Sequence, residues 1–531
     1  MSKLLILLLL FSCSKKKEIL KFESKKETYG DYIIEASIGE PSILNPILAT
    51  DSTSGDINSL IYNGLVKYNE NLELVGDLAE RWEIKDGGKK IVFHLRKGVK
   101  WHDGVEFTSK DVIFTYKKLT DPDVLTPYSS DFKIIKKVEA PTPYTFIVYY
   151  EKPFAPSLES WGIGIVAAHI YREGNFNTHP RNRNPVGTGP YKLEKWKASE
   201  YLILKANDDY FEGRPYIDKV VYRIIPDSSI QFLELRKENI DLMGLTPFQW
   251  KFLKKKDFLS NFRKYRYPSF SYTYLGFNLR NELFKEKKIR RAIAMAINKK
   301  ELIDAVLFGL GKPATGPFPP QSWAYNSDVK DIEYNPEKAK RILEELGWKD
   351  TDGDGILEKD GKKFHFVVLT NQGNKQREIA ALIIQENLRK IGIKMDIRIV
   401  EWSSFIHNFI ETRKFEAVIL GWALSRDPDQ FSIWHSSEDK EGGYNFIGYK
   451  NKEVDKLLEI GRTTFDFEKR KKIYRKIHKI LNEEQPYCFL YVPDNLVVLH
   501  KRFKNVKLTK AGISYNFIKW YVPESLQKYR F

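Results

Sequence analysis

Residues 364–420 constrain the fold more than any other stretch of this chain. Phe364 to Leu369 is a short apolar run, the residues near Gln376 to Lys390 carry helical spacing, and Ile393 to Val400 is a second strand-like run. A further helical segment and a strand at Glu416 to Leu420 follow. Neighbouring parallel strands need a crossover between them, so this alternation predicts an α/β fold whose sheet is mostly parallel and covered by helices. Ligands of such sheets sit in the crevice beyond the carboxyl ends of the strands. Gly421-Trp422 lies just past one of those ends, which makes the following loop, with Trp422, Ser425, Arg426 and Asp427, the first candidate site. Trp402 follows another strand and joins it as a weaker candidate. A Trp422 that only caps the core is the alternative.

Other signals extend the mixed pattern along the chain. Ile91 to Leu95, Thr145 to Tyr150, Tyr201 to Leu204 and Val220 to Ile225 are rich in β-branched and aromatic residues and read as strands. Asn335-Pro336-Glu337 is a helix cap with proline in the first turn, and Gly347 supplies the stop. At 531 residues the chain exceeds one core, so two or three domains are expected. Aromatic residues make up 14%, which fits either a ring-lined cleft or codon bias.

The N-terminus bears on compartment. Met1-Ser-Lys3, the apolar run Leu4 to Phe11 and Ser12-Cys13 form a secretory signal too short to span a bilayer, ending in a sequence that resembles a bacterial lipobox. Residues 1–12 are then a signal peptide, Cys13 the lipidated first mature residue, and 13–29 a charged tether to the membrane. The second cysteine, Cys488, is left without a disulfide partner. The net charge of +17 invites a nucleic-acid reading, but bases and acids interleave throughout, as in residues 282–291, and a solvated surface accounts for them.

Catalytic patterns are missing. The histidines show no His-x-x-x-His spacing, there is no Gly-x-Ser-x-Gly, and Gly187-Thr188-Gly189 lacks the Lys-Ser/Thr ending of a phosphate loop. No enzyme activity and no cofactor are expected. Asp350-Thr-Asp352-Gly-Asp354-Gly355 resembles the first half of a calcium loop, but Gly361 stands where the closing glutamate belongs, so a polar turn is the simpler reading and no metal is expected.

A set of ordered blocks carries a resemblance. Trp82-Glu-Ile-Lys-Asp86-Gly87, Phe93 through Gly104, Thr108-Ser-Lys-Asp111, Pro185-Val-Gly-Thr-Gly-Pro-Tyr191 and Tyr210 through Tyr216 come first. Phe277-Asn278, Ile289 through Asn298, Gly421-Trp422 with Asp427-Pro-Asp429, and Asn445 through Asn451 follow. Together they resemble family 5 of the bacterial extracellular solute-binding proteins, which serve ABC importers. The resemblance implies a hinged, two-lobed periplasmic-binding-protein-like fold of type II with an extra inserted N-terminal domain. Carried over, lobe I is 30–65 with 182–275 and 490–531, the insert is 66–181, and lobe II is 276–489.

It further implies a monomer outside the cytoplasm, in the periplasm or its extracytoplasmic equivalent, that closes on a peptide and hands it to permease subunits. A nickel chelate, haem or an oligosaccharide are the alternatives, and an exported enzyme the alternative of another class. The family's dipeptide and oligopeptide binders hold the peptide ammonium with an acid shortly after Gly-Trp. Here the loop reads Gly421-Trp422-Ala-Leu-Ser425-Arg426-Asp427, shortened and with no acid at the expected place, so either Asp427 takes that role or the ligand presents no free amine, with Arg426 instead offered to a ligand carboxylate. Asn278 is a further candidate from a family block, and Thr50 to Asp56 are expected to add backbone contacts from lobe I.

Overall fold

The structure is a computed structural model that describes residues 27–252 and 260–529. Residues 1–26, which hold the expected signal sequence, Cys13 and most of the expected tether, lie outside the described residues. Strands of the larger sheet are, in chain order, β1 (Tyr32–Ser37), β2 (Tyr191–Lys197), β3 (Tyr201–Ala206), β4 (Lys219–Ile224), β5 (Leu242–Gly244), β6 (Phe262–Pro268), β7 (Ser271–Phe277), β8 (His365–Asn371), β9 (Lys394–Val400), β10 (Ala417–Ala423) and β11 (Tyr487–His500). Their order is β9-β8-β10-β7-β11-β5-β1-β4-β3-β2, and β6 and a further three-residue strand, Gly311–Pro313, also pair with β11.

The βαβ unit forms where its pattern predicts. β8 and β9 run parallel, joined by the helix Lys375–Arg389, whose cap Asn374 accepts from the Arg377 amide. β10 continues the parallel set, with Val368 opposite Ala417. Beyond that set the sheet departs from the mostly parallel expectation and is mixed. β7 lies antiparallel to both β10 and β11, and β5 and β6 are antiparallel to β11. The physical reason is connectivity: β6 and β7 are separated by only Ser269 and Phe270, and β11 is one long strand, so neither needs a crossover.

Those same two features join the lobes. The first half of β11 pairs with β7, and the second half with β6 and β5. The chain therefore passes between lobes at Pro268–Ser271 and near Pro493, where the Ser269 hydroxyl donates to the Pro493 carbonyl at 2.6 Å. Two adjacent strand crossings suit a hinge.

Lobe II has separate cores on the two faces of its sheet, one around Leu275, Ile293 and Ile384, the other around Tyr274, Trp434 and Tyr487. The inserted sheet, in the order Ala79–Lys85, Lys90–Leu95, Thr145–Tyr150, Ile135–Thr142, is antiparallel throughout. It shares one continuous core with lobe I, in which Phe93 and Trp161 pack with Ile33 and Leu202. The helix Ser52–Ile61 (α1) belongs to the same core. Gly187, from one of the ordered blocks, meets its end so closely that a Cβ there would fall 1.8 Å from the Ile61 carbonyl oxygen. The helix Pro336–Glu345 starts at Asn335 and is followed by Gly347 at φ +89°, as the capping residues predict.

Candidate functional site

A cavity of about 1050 Å3 lies between the lobes, walled by α1 from lobe I, by Tyr68, Tyr128 and Glu159 from the insert, and by the ends of β8, β9 and β10 from lobe II. The parallel strands of lobe II all point their carboxyl ends at it. The lobes meet around its rim: Thr50 donates to Glu411 at 3.0 Å, the Trp402 indole to Asp51 at 3.2 Å, and the Tyr128 and Tyr444 hydroxyls lie 3.1 Å apart. Arg462 of lobe II pairs with Asp131 of the insert. This is a closed arrangement.

Each expected residue has a definite place. Trp422 lines the cavity and also packs into the lobe II core, its ring 5.8 Å from Phe446 and its indole donating to the Tyr487 hydroxyl at 3.3 Å. Ser425 and Trp402 line the cavity as well. Of the Thr50–Asp56 stretch, Thr50, Asp51, Ser52 and Gly55 line it, and Thr50 and Asp51 reach lobe II through their side chains. Arg426 instead lays its guanidinium over the Phe270 ring at 4.4 Å, beside the strand crossing. Asn278 stands outside the cavity lining, its amide donating to the Phe415 and Arg413 carbonyls at 2.9 and 3.3 Å. These bonds fix the chain entering β10, which explains why that residue type belongs there.

Asp427 faces the cavity but carries its own counter-charge. Arg470 grips both of its oxygens at 2.5 and 2.7 Å, and the carboxylate also accepts from the Asp429 amide at 2.9 Å. Asp429 pairs in turn with Arg462 at 2.9 Å; burial raises its carboxyl to about 6, with the Arg462 charge pulling the other way. The strand-end acids are thus set in place by two arginines of the helices behind the loop.

Two cavity groups escaped the sequence. Arg377, in the first turn of the helix after β8, donates to Asn371 at 2.7 Å, and no carboxylate pairs with it among the described residues. Burial lowers its affinity for protons, with the nearby Tyr491 and Tyr274 hydroxyls acting oppositely, yet a guanidinium keeps its charge under such conditions. Its position directly after a strand end was a usable signal. Glu159 sits in a short 3-10 turn of the insert, Glu159–Gly162, with nothing in the local sequence to mark it. The turn is held by the buried Trp161, whose carbonyl accepts from Leu65 at 2.7 Å, and by Gly64, where a Cβ would meet the Gly162 carbonyl oxygen at 2.5 Å.

The Asp-Gly loop lies away from this cavity. Asp350, Asp352, Asp354 and Glu358 bring carboxylate oxygens within 4.8 Å of one another. Lys363 bonds Asp352 and Asp354, and Asp350 caps the Gly353 and Gly355 amides at 2.8 and 3.0 Å, the geometry of a polar turn.

The description "Bacterial extracellular solute-binding proteins, family 5 Middle" matches residues 73–443. The chain belongs to this family. Oligopeptide-binding protein AppA of Bacillus subtilis is 39% identical over 526 residues, covering 97% of this chain and 95% of that protein. The structure of AppA with a nonapeptide superposes with a TM-score of 0.90 at 38% identity, over 94% of this chain and all of the other. DppA of Helicobacter pylori, in complex with the peptide STSA, gives 0.84 at 30% identity over 94% and 99% of the two chains. NikZ of Campylobacter jejuni, in complex with Ni(L-His), gives 0.83 at 32% identity over 92% and 99%. The two-lobed, hinged fold of family 5 is therefore the fold of this chain, and solute binding its class of function.

Proposed function

We propose that the protein captures a peptide between its lobes and delivers it to an ABC importer. The observation that carries this reading is the interlobe cavity of about 1050 Å3, into which lobe II presents a half-buried guanidinium that has no carboxylate partner among the described residues. A peptide C-terminus supplies that partner as a charge-assisted pair with Arg377. The end of β10 offers the rest of the peptide a surface. β7 pairs with it through Ala423, whereas β8 pairs only with Ala417 and Val418, so among the described residues one edge of Leu420–Ala423 has no neighbouring strand. Backbone pairing along such an edge gives affinity without sequence preference.

The division into lobe I, insert and lobe II at the boundaries given above belongs to the same proposal, with closure about the two strand crossings. So do the lipid on Cys13, placement outside the cytoplasm, a monomeric state and docking on permease subunits. The pattern of Met1 to Cys13 supports the anchor, and among the described residues no helix is long and apolar enough to cross a membrane. Native mass spectrometry of the protein incubated with a peptide mixture, nickel-histidine and haem tests the ligand class. Retention of peptides is expected. Retention of only the chelate or haem would overturn the peptide reading.

A further inference from the structure

The cavity is lined by several carboxylates, and nearly all of them are already neutralised within the protein. Asp427 is gripped by Arg470, while Asp429 and Asp131 share Arg462. Asp77 and Glu212 share Lys67, and Glu411 takes His407. Asp51 caps α1 through the Ser54 amide at 3.0 Å and accepts also from the Ser42 and Ser54 hydroxyls and the Trp402 indole. Its charge sits against the positive end of the helix.

Glu159 is the exception. Among the described residues, no lysine, arginine or histidine forms an ion pair with it. Its oxygens accept from the Asp427 amide at 3.2 and 3.4 Å, from the Arg426 amide and from the Tyr68 hydroxyl. Burial, with the negative charge of Asp427 close by, pushes its carboxyl up to about 7. Arg426 feels its field, but holds its guanidinium over Phe270. A half-buried, poorly neutralised carboxylate beside a ligand cavity is costly unless a cation arrives.

We infer that Glu159, carried by the inserted domain, binds a primary ammonium group of the ligand. This rests on the peptide reading, which supplies two sources of that group, the N-terminus and a lysine side chain. An ammonium has three donors and needs an acceptor with open lone pairs; a carboxylate has about four such sites, and the partners of Glu159 are one hydroxyl and the Asp427 and Arg426 backbone amides, none of them a cation. Because the insert and the Ser425–Asp427 loop come from opposite sides of the cleft, an ammonium there also bridges the closed form.

The test is calorimetric titration of the mature full-length protein and of Glu159→Gln with three peptides of equal length. One is lysine-free with a free N-terminus, one its N-acetylated form, and one N-acetylated with a single lysine. The wild type is expected to favour at least one amine-bearing peptide over the acetylated lysine-free one by about tenfold or more, the effect of a charged hydrogen bond. Glu159→Gln is expected to abolish that preference while binding the acetylated lysine-free peptide at least as tightly as the wild type, which also shows the variant is folded. The pair that carries the preference assigns the source. A preference that survives in Glu159→Gln, no preference in the wild type, or equal weakening of all three peptides overturns the assignment to Glu159. Wild-type protein that binds none of the three overturns the peptide reading itself.

Discussion

Asp427 and Glu159 face each other across the cleft, one on the strand-end loop of lobe II and one on the insert, and their chemistry differs. Asp427 is held bidentately by Arg470 and forms part of the loop's own framework. Glu159 is joined to that loop through backbone amides and is left with a raised proton affinity. An acid at the right place in a sequence is therefore no guide to ligand charge until its internal partners are known. In this protein the loop acids shape the site, and the charges left over for a ligand come from Arg377 and Glu159.

The contrast is broken most strongly by removing Arg470. Arg470→Met leaves Asp427 as an unpaired, mostly buried carboxylate, and breaking such a pair costs about 3–5 kcal/mol of stability. Urea unfolding measures it, and a loss below about 1 kcal/mol would show that Asp427 is not held by that pair. Asp427→Asn is correspondingly expected to act through stability, without changing the preference for a free amine.

Arg377→Ala comes next. It is expected to weaken peptides with a free C-terminus by about 1.5–3 kcal/mol, and C-terminally amidated peptides far less, as the removal of a charged hydrogen-bonding partner predicts. Equal loss for both forms would remove Arg377 from carboxylate recognition.

The pH profile separates the two acids further. Glu159 has a raised value of about 7 in the empty site, and a bound ammonium favours its ionised form. Binding therefore releases a proton near neutrality. Affinity is full above pH 7 and falls as pH drops through 7, by at most about tenfold per unit. Above about pH 8 an α-ammonium loses its own charge, which closes the profile on the alkaline side. Calorimetry in buffers of different ionisation enthalpy reads the proton count, and a flat profile between pH 5 and 7 would contradict it. Tyr68, Arg426, Asp427 with Arg470, and Asp429 with Arg462 and Asp131 face the same region; the Glu159→Gln profile isolates the Glu159 contribution.

The smallest effect is expected at the rim. Trp402→Phe keeps an aromatic ring but loses the indole bond to Asp51, which weakens closure by about 1 kcal/mol. Peptide dissociation is expected to speed up several-fold, and an unchanged rate would place Trp402 outside the closing contact.

Much of the fold was legible because it rests on local periodicity. The strand–helix–strand alternation of 364–400 names its own topology, and the strand-end rule leads straight to Trp422. The mixed character of the sheet was not legible, because the pairing of β11 with both lobes links residues more than two hundred positions apart. Site chemistry was legible only in part for the same reason. Arg470 lies 43 residues beyond Asp427, on a helix that nothing in the loop announces, and Glu159 reaches the cleft only because the insert packs Trp161 into the core it shares with lobe I.

The most direct test of capture by closure is small-angle scattering of the protein, stripped of ligand by unfolding and refolded, before and after addition of a bound peptide. The account predicts a smaller radius of gyration with peptide, approaching that of the closed structure described here. An unchanged radius at saturating peptide would contradict it.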